Sequence, residues 1–191
     1  MSLLMATFLH STSPTPALAA AQVPEALPST LVDTLAEAAA SPLDTERGAT
    51  THDWLAHRND QLARFVPQAE LRHTLLARIQ AEAALAGLSP DIVMAVIHVE
   101  SGFDPHALSS AGAQGLMQVM PFWKEVIGRS DDNLLDPGLN LRYGCTILAY
   151  YLDLENGDLT RALARYNGSL GKTWYPERVM QAWVDYWWTS Y

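Results

Sequence analysis

Cysteine is almost missing from this chain. Cys145 is its single thiol, so no internal disulfide can brace the fold, and a position so far from the first residue excludes it as a lipoprotein anchor. Positive charge is scarce too: 12 Lys and Arg stand against 21 Asp and Glu, for a formal net charge of -9. Nucleic acid and anionic membrane surfaces both demand basic patches, and this balance excludes them as expected partners. No stretch reaches the ~20 apolar residues of a transmembrane helix. Nor is there sustained alternation of apolar and polar residues, so strands are not expected. The six histidines are scattered and Asp153-Leu154-Glu155-Asn156-Gly157-Asp158 lacks the twelve-residue calcium-loop pattern. Neither a metal nor a cofactor is expected; that acidic run reads as an interhelical turn.

What the chain does have is apolar material, 49% of its 191 residues, arranged in long amphipathic stretches. That is enough for the core of one all-α domain preceded by a leader. Residues 70–86 predict a helix with Leu71, Leu75, Leu76 and Ile79 on its apolar face, and residues 140–152 predict another after the Asp136-Pro137-Gly138 turn. A last helix is expected from about Tyr175, with Val179, Trp183 and Trp187 spaced as a core-facing stripe and Trp188 and Tyr191 exposed. Residues 1–50 differ in character. An apolar run from Leu3 to Leu9 and the small-residue site Ala17-Leu18-Ala19 suggest an export signal without its usual basic start. The Pro-, Ser- and Ala-rich stretch that follows reads as a linker, with one possible helix at residues 31–40. The domain is therefore expected over residues 51–191, its core at about 70–185.

One carboxylate stands out. Glu100 closes the apolar stretch Asp91-Ile92-Val93-Met94-Ala95-Val96-Ile97-His98-Val99, and Ser101-Gly102 follows it. Ser89 suits an N-cap, Pro90 the first helical position and Asp91 the positive end of the dipole, while Gly102 ends the helix. Ile92, Val96 and Val99 mark one apolar face and Val93 with Ile97 another, so Glu100 points toward packed protein or a cleft. Loss of water and the negative end of the helix dipole both raise its pKa, and a carboxylic acid protonated near neutral pH suits general acid catalysis. A structural Glu, capped or paired with an Arg, is the competing interpretation.

The residues beyond it narrow the choice. Ser109-Ser110-Ala111-Gly112-Ala113-Gln114-Gly115 is a loop of small residues that permits close approach of backbone or ligand. In Gly115-Leu116-Met117-Gln118-Val119-Met120-Pro121, Gln118 is a polar amide among large apolar neighbours, able to donate and accept for a sugar or to face solvent on a short helical turn. Farther on, Asp158 can cap a helix whose Leu159, Ala162, Leu163 and Tyr166 share a buried face. The Tyr166 hydroxyl then needs a partner, whether Glu100, a ligand or a backbone carbonyl.

Glu100-Ser101, the Gly115 to Pro121 run and Ala164-Arg165-Tyr166-Asn167, in that order and spacing, resemble the SLT domain of the soluble lytic transglycosylases, glycoside hydrolase family 23. The middle motif is the most specific, and the likeness spans roughly residues 70–185. It implies a lysozyme-like fold and cleavage of peptidoglycan glycan strands between N-acetylmuramic acid and N-acetylglucosamine, leaving a 1,6-anhydro end. Such a substrate places the protein in the periplasm or cell envelope. The resemblance also implies that Glu100 is the acid/base, that Ser109, Gln118, Tyr166 and Asn167 hold the sugar or orient the acid, and that Met117 walls the cleft. Two departures stand out: Gly144-Cys145-Thr146-Ile147-Leu148 lacks the Tyr usual in that helix, and Gly168 follows Asn167 directly, one position early.

Most glycosidases flank the bond with two carboxylates, and no second acid is evident here. Asp104 is cut off from Glu100's helix by Gly102 and Pro105, and Asp131, Asp132 and Asp136 fall in a segment that reads as a solvated loop. The substrate's own 2-N-acetyl group must then assist. A hydrolytic lysozyme of the same fold and a non-catalytic wall-binding module are the alternatives.

Overall fold

The computed structural model describes residues 50–188. The leader, the possible helix at 31–40 and Tyr191 lie outside the described residues. Helices α1 (Thr50–Leu62), α2 (Ala69–Leu85), α3 (Pro90–Ser101), α4 (Trp123–Ile127), α5 (Pro137–Leu154), α6 (Leu159–Tyr166) and α7 (Trp174–Ala182) follow in order, and a π-helical turn at Trp183–Trp187 continues α7. The described residues are all-α, with two isolated β-bridges in the α3–α4 connection as the exception. No single helix among them is long and apolar enough to cross a membrane.

Helix α3 is the axis of the molecule. Six consecutive residues from Ile92 to Ile97 are buried, and α2, α7 and the π turn all pack against it. Buried on every side, it has no polar face to spare, which is why its sequence shows two apolar stripes rather than one. Helix α5 is the second long core element and carries Leu141, Tyr143, Cys145, Ile147 and Leu148 inward against α2 and α6. Val179 and Trp187 of the C-terminal stripe are fully buried, and Trp188 is 54% exposed, both as the spacing indicates.

Several boundaries differ from expectation. Helix α5 starts at Pro137 rather than Asn140, because the Asp136 carboxylate accepts the Leu139 N–H at 2.8 Å and Pro137 takes the first position, where no N–H is needed. Leu71, expected on the buried face of α2, is 59% exposed. Ser89 precedes α3 without a side-chain cap bond. Nothing in the apolar pattern of residues 50–62 foretells α1; Trp54 and Leu62 enter the core, and polar contacts moor the helix as well. Asp91 Oδ1, at the start of α3, accepts from Trp54 Nε1 at 2.7 Å and Arg58 Nε at 2.9 Å. The same buried guanidinium donates to the Trp187 carbonyl at 2.8 Å, so one arginine joins the first helix, the central helix and the C-terminal turn. A second buried pair, Glu82 with Arg142, links α2 to α5.

Candidate active site

Glu100 lies in the last turn of α3, which stops because Gly102 adopts a left-handed φ of 59° and its N–H closes on the His98 carbonyl at 3.2 Å. The adjoining Ser101 turns inward. Its hydroxyl donates to the Leu116 carbonyl at 2.7 Å and lies 3.2 Å from the Ile97 carbonyl, tying the helix end to the Gly115 to Pro121 segment.

That segment is built around a buried amide. Asn140, in the first turn of α5 and fully inaccessible, donates through Nδ2 to the Gln114 and Leu134 carbonyls at 2.7 and 2.8 Å and accepts the Met117 N–H at 2.8 Å. Every hydrogen-bonding position used belongs to loop backbone, so Asn140 is the template on which the loop is laid. Gly115 makes the fit possible: its φ is 73°, and a Cβ there would stand 2.5 Å from Asn140 Nδ2 and 2.7 Å from the Leu134 carbonyl. Antiparallel bridges of Gln114 to Leu108 and to Val119 close the loop on itself.

Gln118 lies on neither a helical turn nor a solvent-facing surface but at the edge of the cavity. It stands on a left-handed turn, φ 49°, and its Nε2 donates to the Ala107 and Gly115 carbonyls at 3.1 and 3.0 Å. Both amide hydrogens thus serve the loop, while the residue lines the cavity in front of Glu100. Ser109 and Asn167 line the same cavity, and Ser109 Oγ accepts the Ala113 N–H at 2.9 Å. Met117 and Tyr166 stand behind it. Met117 is fully buried against Gly144, where an added Cβ would lie 2.4 Å from its sulfur, and its carbonyl accepts the Tyr166 hydroxyl at 2.7 Å. The partner of Tyr166 is therefore a backbone carbonyl.

The partner of Glu100 is Tyr175, in the first turn of α7. Its hydroxyl donates to Glu100 Oε1 at 2.6 Å. Burial drives the Glu100 pKa up to about 7, against the opposing pull of the Tyr175 hydrogen bond and the positive charge of Arg178. Desolvation wins because a carboxylate's hydration is worth more than one hydroxyl and a distant cation restore. The acid is consequently half protonated near neutral pH. Tyr175→Phe removes the bond that favours the charged form, so the Glu100 pKa rises further. Any titration limb due to this acid is expected to move to higher pH by on the order of one unit, read in a pH–rate profile; an unmoved limb would place the titration elsewhere.

The cavity holds about 480 Å³ between the end of α3, the small-residue loop and α7. Glu100 is the one carboxylate among the described residues lining it, and Trp174 with Leu108 supplies apolar surface. The other acids considered have local duties. Asp104 accepts the His106 N–H at 2.8 Å, Asp131 pairs with Arg129, Asp132 accepts the Tyr143 hydroxyl at 2.5 Å, and Asp136 caps α5. A larger apolar hollow of about 790 Å³ lies between α2 and the start of α5; Asp136 is at its rim, and Glu100 does not line it. Tyr175, Trp174, Arg178 and Asn140 were not legible as site residues, since their roles depend on how α5 and α7 dock.

Comparison with known proteins agrees on one family. The family model described as "Transglycosylase SLT domain" matches residues 77–182. A transglycosylase of Enterobacteria phage PRD1 is 36% identical over 110 residues, covering 54% of this chain and 40% of that protein. A membrane-bound lytic murein transglycosylase C of Photorhabdus laumondii is 29% identical over 118 residues, 52% of this chain and 32% of its own length. Thus the chain spans less than half of these relatives. Among solved structures, an inactive mutant of lytic transglycosylase Slt from Pseudomonas aeruginosa superposes with a TM-score of 0.46 at 27% identity, covering 65% of this chain and 21% of that one.

Proposed function

Because the chain belongs to the transglycosylase SLT domain family, we propose that it is a lytic transglycosylase acting on peptidoglycan glycan strands in the cell envelope. It cleaves the β-1,4 bond between N-acetylmuramic acid and N-acetylglucosamine and leaves 1,6-anhydromuramoyl ends, within a lysozyme-like fold. The observation that carries this reading is Glu100, held toward a cavity with a pKa of about 7 and with no second carboxylate among the described residues that line it.

One acid must then serve both halves of the reaction. Protonated Glu100 gives its proton to the glycosidic oxygen, and the C1–O bond breaks as the 2-acetamido carbonyl oxygen of the muramic residue closes on C1. The carboxylate left behind, favoured now by the Tyr175 hydroxyl, takes the proton of the same sugar's 6-hydroxyl. O6 attacks C1, the acetamido oxygen leaves, and Glu100 ends as it began. No water is consumed. Ser109, Gln118 and Asn167 face this space as sugar-holding groups, while Met117 and Tyr166 support the loop from behind.

Mass spectrometry of sacculi digested by the protein tests the proposal. Soluble muropeptides with anhydromuramoyl ends are expected. Reducing muramic ends would instead make the protein a hydrolytic muramidase, and binding to sacculi without soluble fragments would make it a wall-binding module.

A further inference from the structure

Arg178 lies one turn beyond Tyr175 on α7 and lines the same cavity as Glu100. It is the one cation among the described residues that line it. Other arginines of the fold are committed: Arg58 to Asp91 and Trp187, Arg72 to the Val66 and Pro67 carbonyls, Arg142 to Glu82, and Arg161 with Arg165 to Glu155. Arg178 has no hydrogen bond or ion pair among the described residues, and it is exposed. Its charge reaches Glu100 without forming an ion pair with it, while Glu100 Oε1 accepts from Tyr175.

An exposed cation of this kind normally signifies little, but its surroundings here are unusual. The chain carries a net charge of -9, which repels a polymer bearing carboxylates. A guanidinium in the cleft supplies local attraction that the molecule as a whole does not. Its planar donors match a carboxylate in a two-pronged geometry that a sugar hydroxyl cannot use as well. On a strand of alternating N-acetylglucosamine and N-acetylmuramic acid, carboxylates are found on the 3-O-lactyl arm of the muramic residue or on the peptide it bears, and nowhere on the plain glucosamine units.

We infer that Arg178 is a specificity-determining residue that pairs with a carboxylate on the 3-O-substituent of a muramic residue. This rests on the proposed substrate class and adds the group by which the cleft tells a muramic residue from a glucosamine one. Leu108, 65% exposed, and Trp174 then serve the uncharged faces of the sugars.

The test is a set of binding measurements in a Glu100→Gln background, which keeps the strands intact. Three ligands are compared: glycan strands stripped to free lactyl groups, strands retaining stem peptides, and β-1,4-linked N-acetylglucosamine oligomers, which bear no carboxylate. Adding Arg178→Gln is expected to weaken binding of carboxylate-bearing strands roughly tenfold while leaving the N-acetylglucosamine oligomer unchanged, and Arg178→Lys to recover part of the loss. Loss on the stripped strands assigns the lactyl carboxylate; loss confined to peptide-bearing strands assigns the stem. Equal loss on all three ligands, no loss on any, or no binding of any strand by the parent protein overturns the inference. Turnover retained by Glu100→Gln alone would sink the proposed function but not the contrast between ligands.

Discussion

Replacing Glu100 by Gln is expected to abolish turnover of glycan strands, a loss of at least the ~10²–10⁴-fold that a positioned general acid contributes, while sugar binding stays within a few-fold of wild type. The amide keeps the size of the side chain and can still accept from Tyr175, so the cavity persists. What it cannot do is release a proton to the leaving oxygen and later accept one from the 6-hydroxyl. The pH dependence follows with a definite sign: the first step needs the protonated form, so activity of the wild type falls as pH rises through about 7. The same substitution bears on stability. A carboxyl group with a folded pKa raised from 4.5 to about 7 favours the folded state below the unfolded value, and this advantage is lost as pH climbs through the folded one. Above pH 7 the ionised group opposes folding by on the order of 3 kcal/mol. Glu100→Gln removes that opposition, so its melting temperature should exceed wild type by several degrees at pH 8 and converge with it near pH 4. Near-normal turnover in this variant would remove Glu100 from the mechanism; a stability difference independent of pH would contradict its half-buried, titrating character.

A second large effect is expected from Asn140→Asp. The two side chains have nearly the same shape, so packing is unchanged and only the hydrogen-bond polarity is altered. Asn140 offers two N–H donors to the Gln114 and Leu134 carbonyls and one oxygen to the Met117 N–H. An aspartate has no donor when ionised, and two carbonyl oxygens would then face a buried negative charge. Breaking such an arrangement costs about 3–5 kcal/mol. Urea denaturation at pH 7.5 should show the loss, and part should return near pH 4, where a protonated Asp can donate to one carbonyl. Because the loop that Asn140 organises carries Gln118, activity should fall with stability. A variant as stable as wild type at pH 7.5 would show that the loop is held by other means.

The sequence spoke clearly wherever a property was local. Pro90 and Gly102 bracket α3, and the chain between them is apolar enough that burial of the helix and the proton affinity of Glu100 could be anticipated from the order of residues. Asp158 as the cap of α6 was legible for the same reason, and the Arg161 N–H does bond to it. Roles that depend on docking were not. Tyr175 was visible only as the start of a helix; that it, and not Tyr166, donates to Glu100 depends on how α7 packs against α3. Met117 and Gln118 are neighbours with opposite fates, one behind the cavity and one before it, because a single left-handed residue reverses the side on which the chain presents its groups. The start of α5 was misplaced by treating Asp136-Pro137-Gly138 as a turn, though the same residues serve equally as cap, first position and a close contact with Arg78. Helix α1 escaped notice since it gives the core few apolar residues, Trp54 and Leu62 among them, and leans also on an arginine paired to a distant aspartate.

Cys145 sits in the middle of α5 with 1% of its surface exposed, and its burial holds the thiol well above the usual range for ionisation. Being the single sulfhydryl of the chain, it lies out of reach of alkylating reagents for as long as α2, α5 and α6 stay together. Modification therefore waits on separation of those helices, so the protein carries its own clock for spontaneous opening of the core.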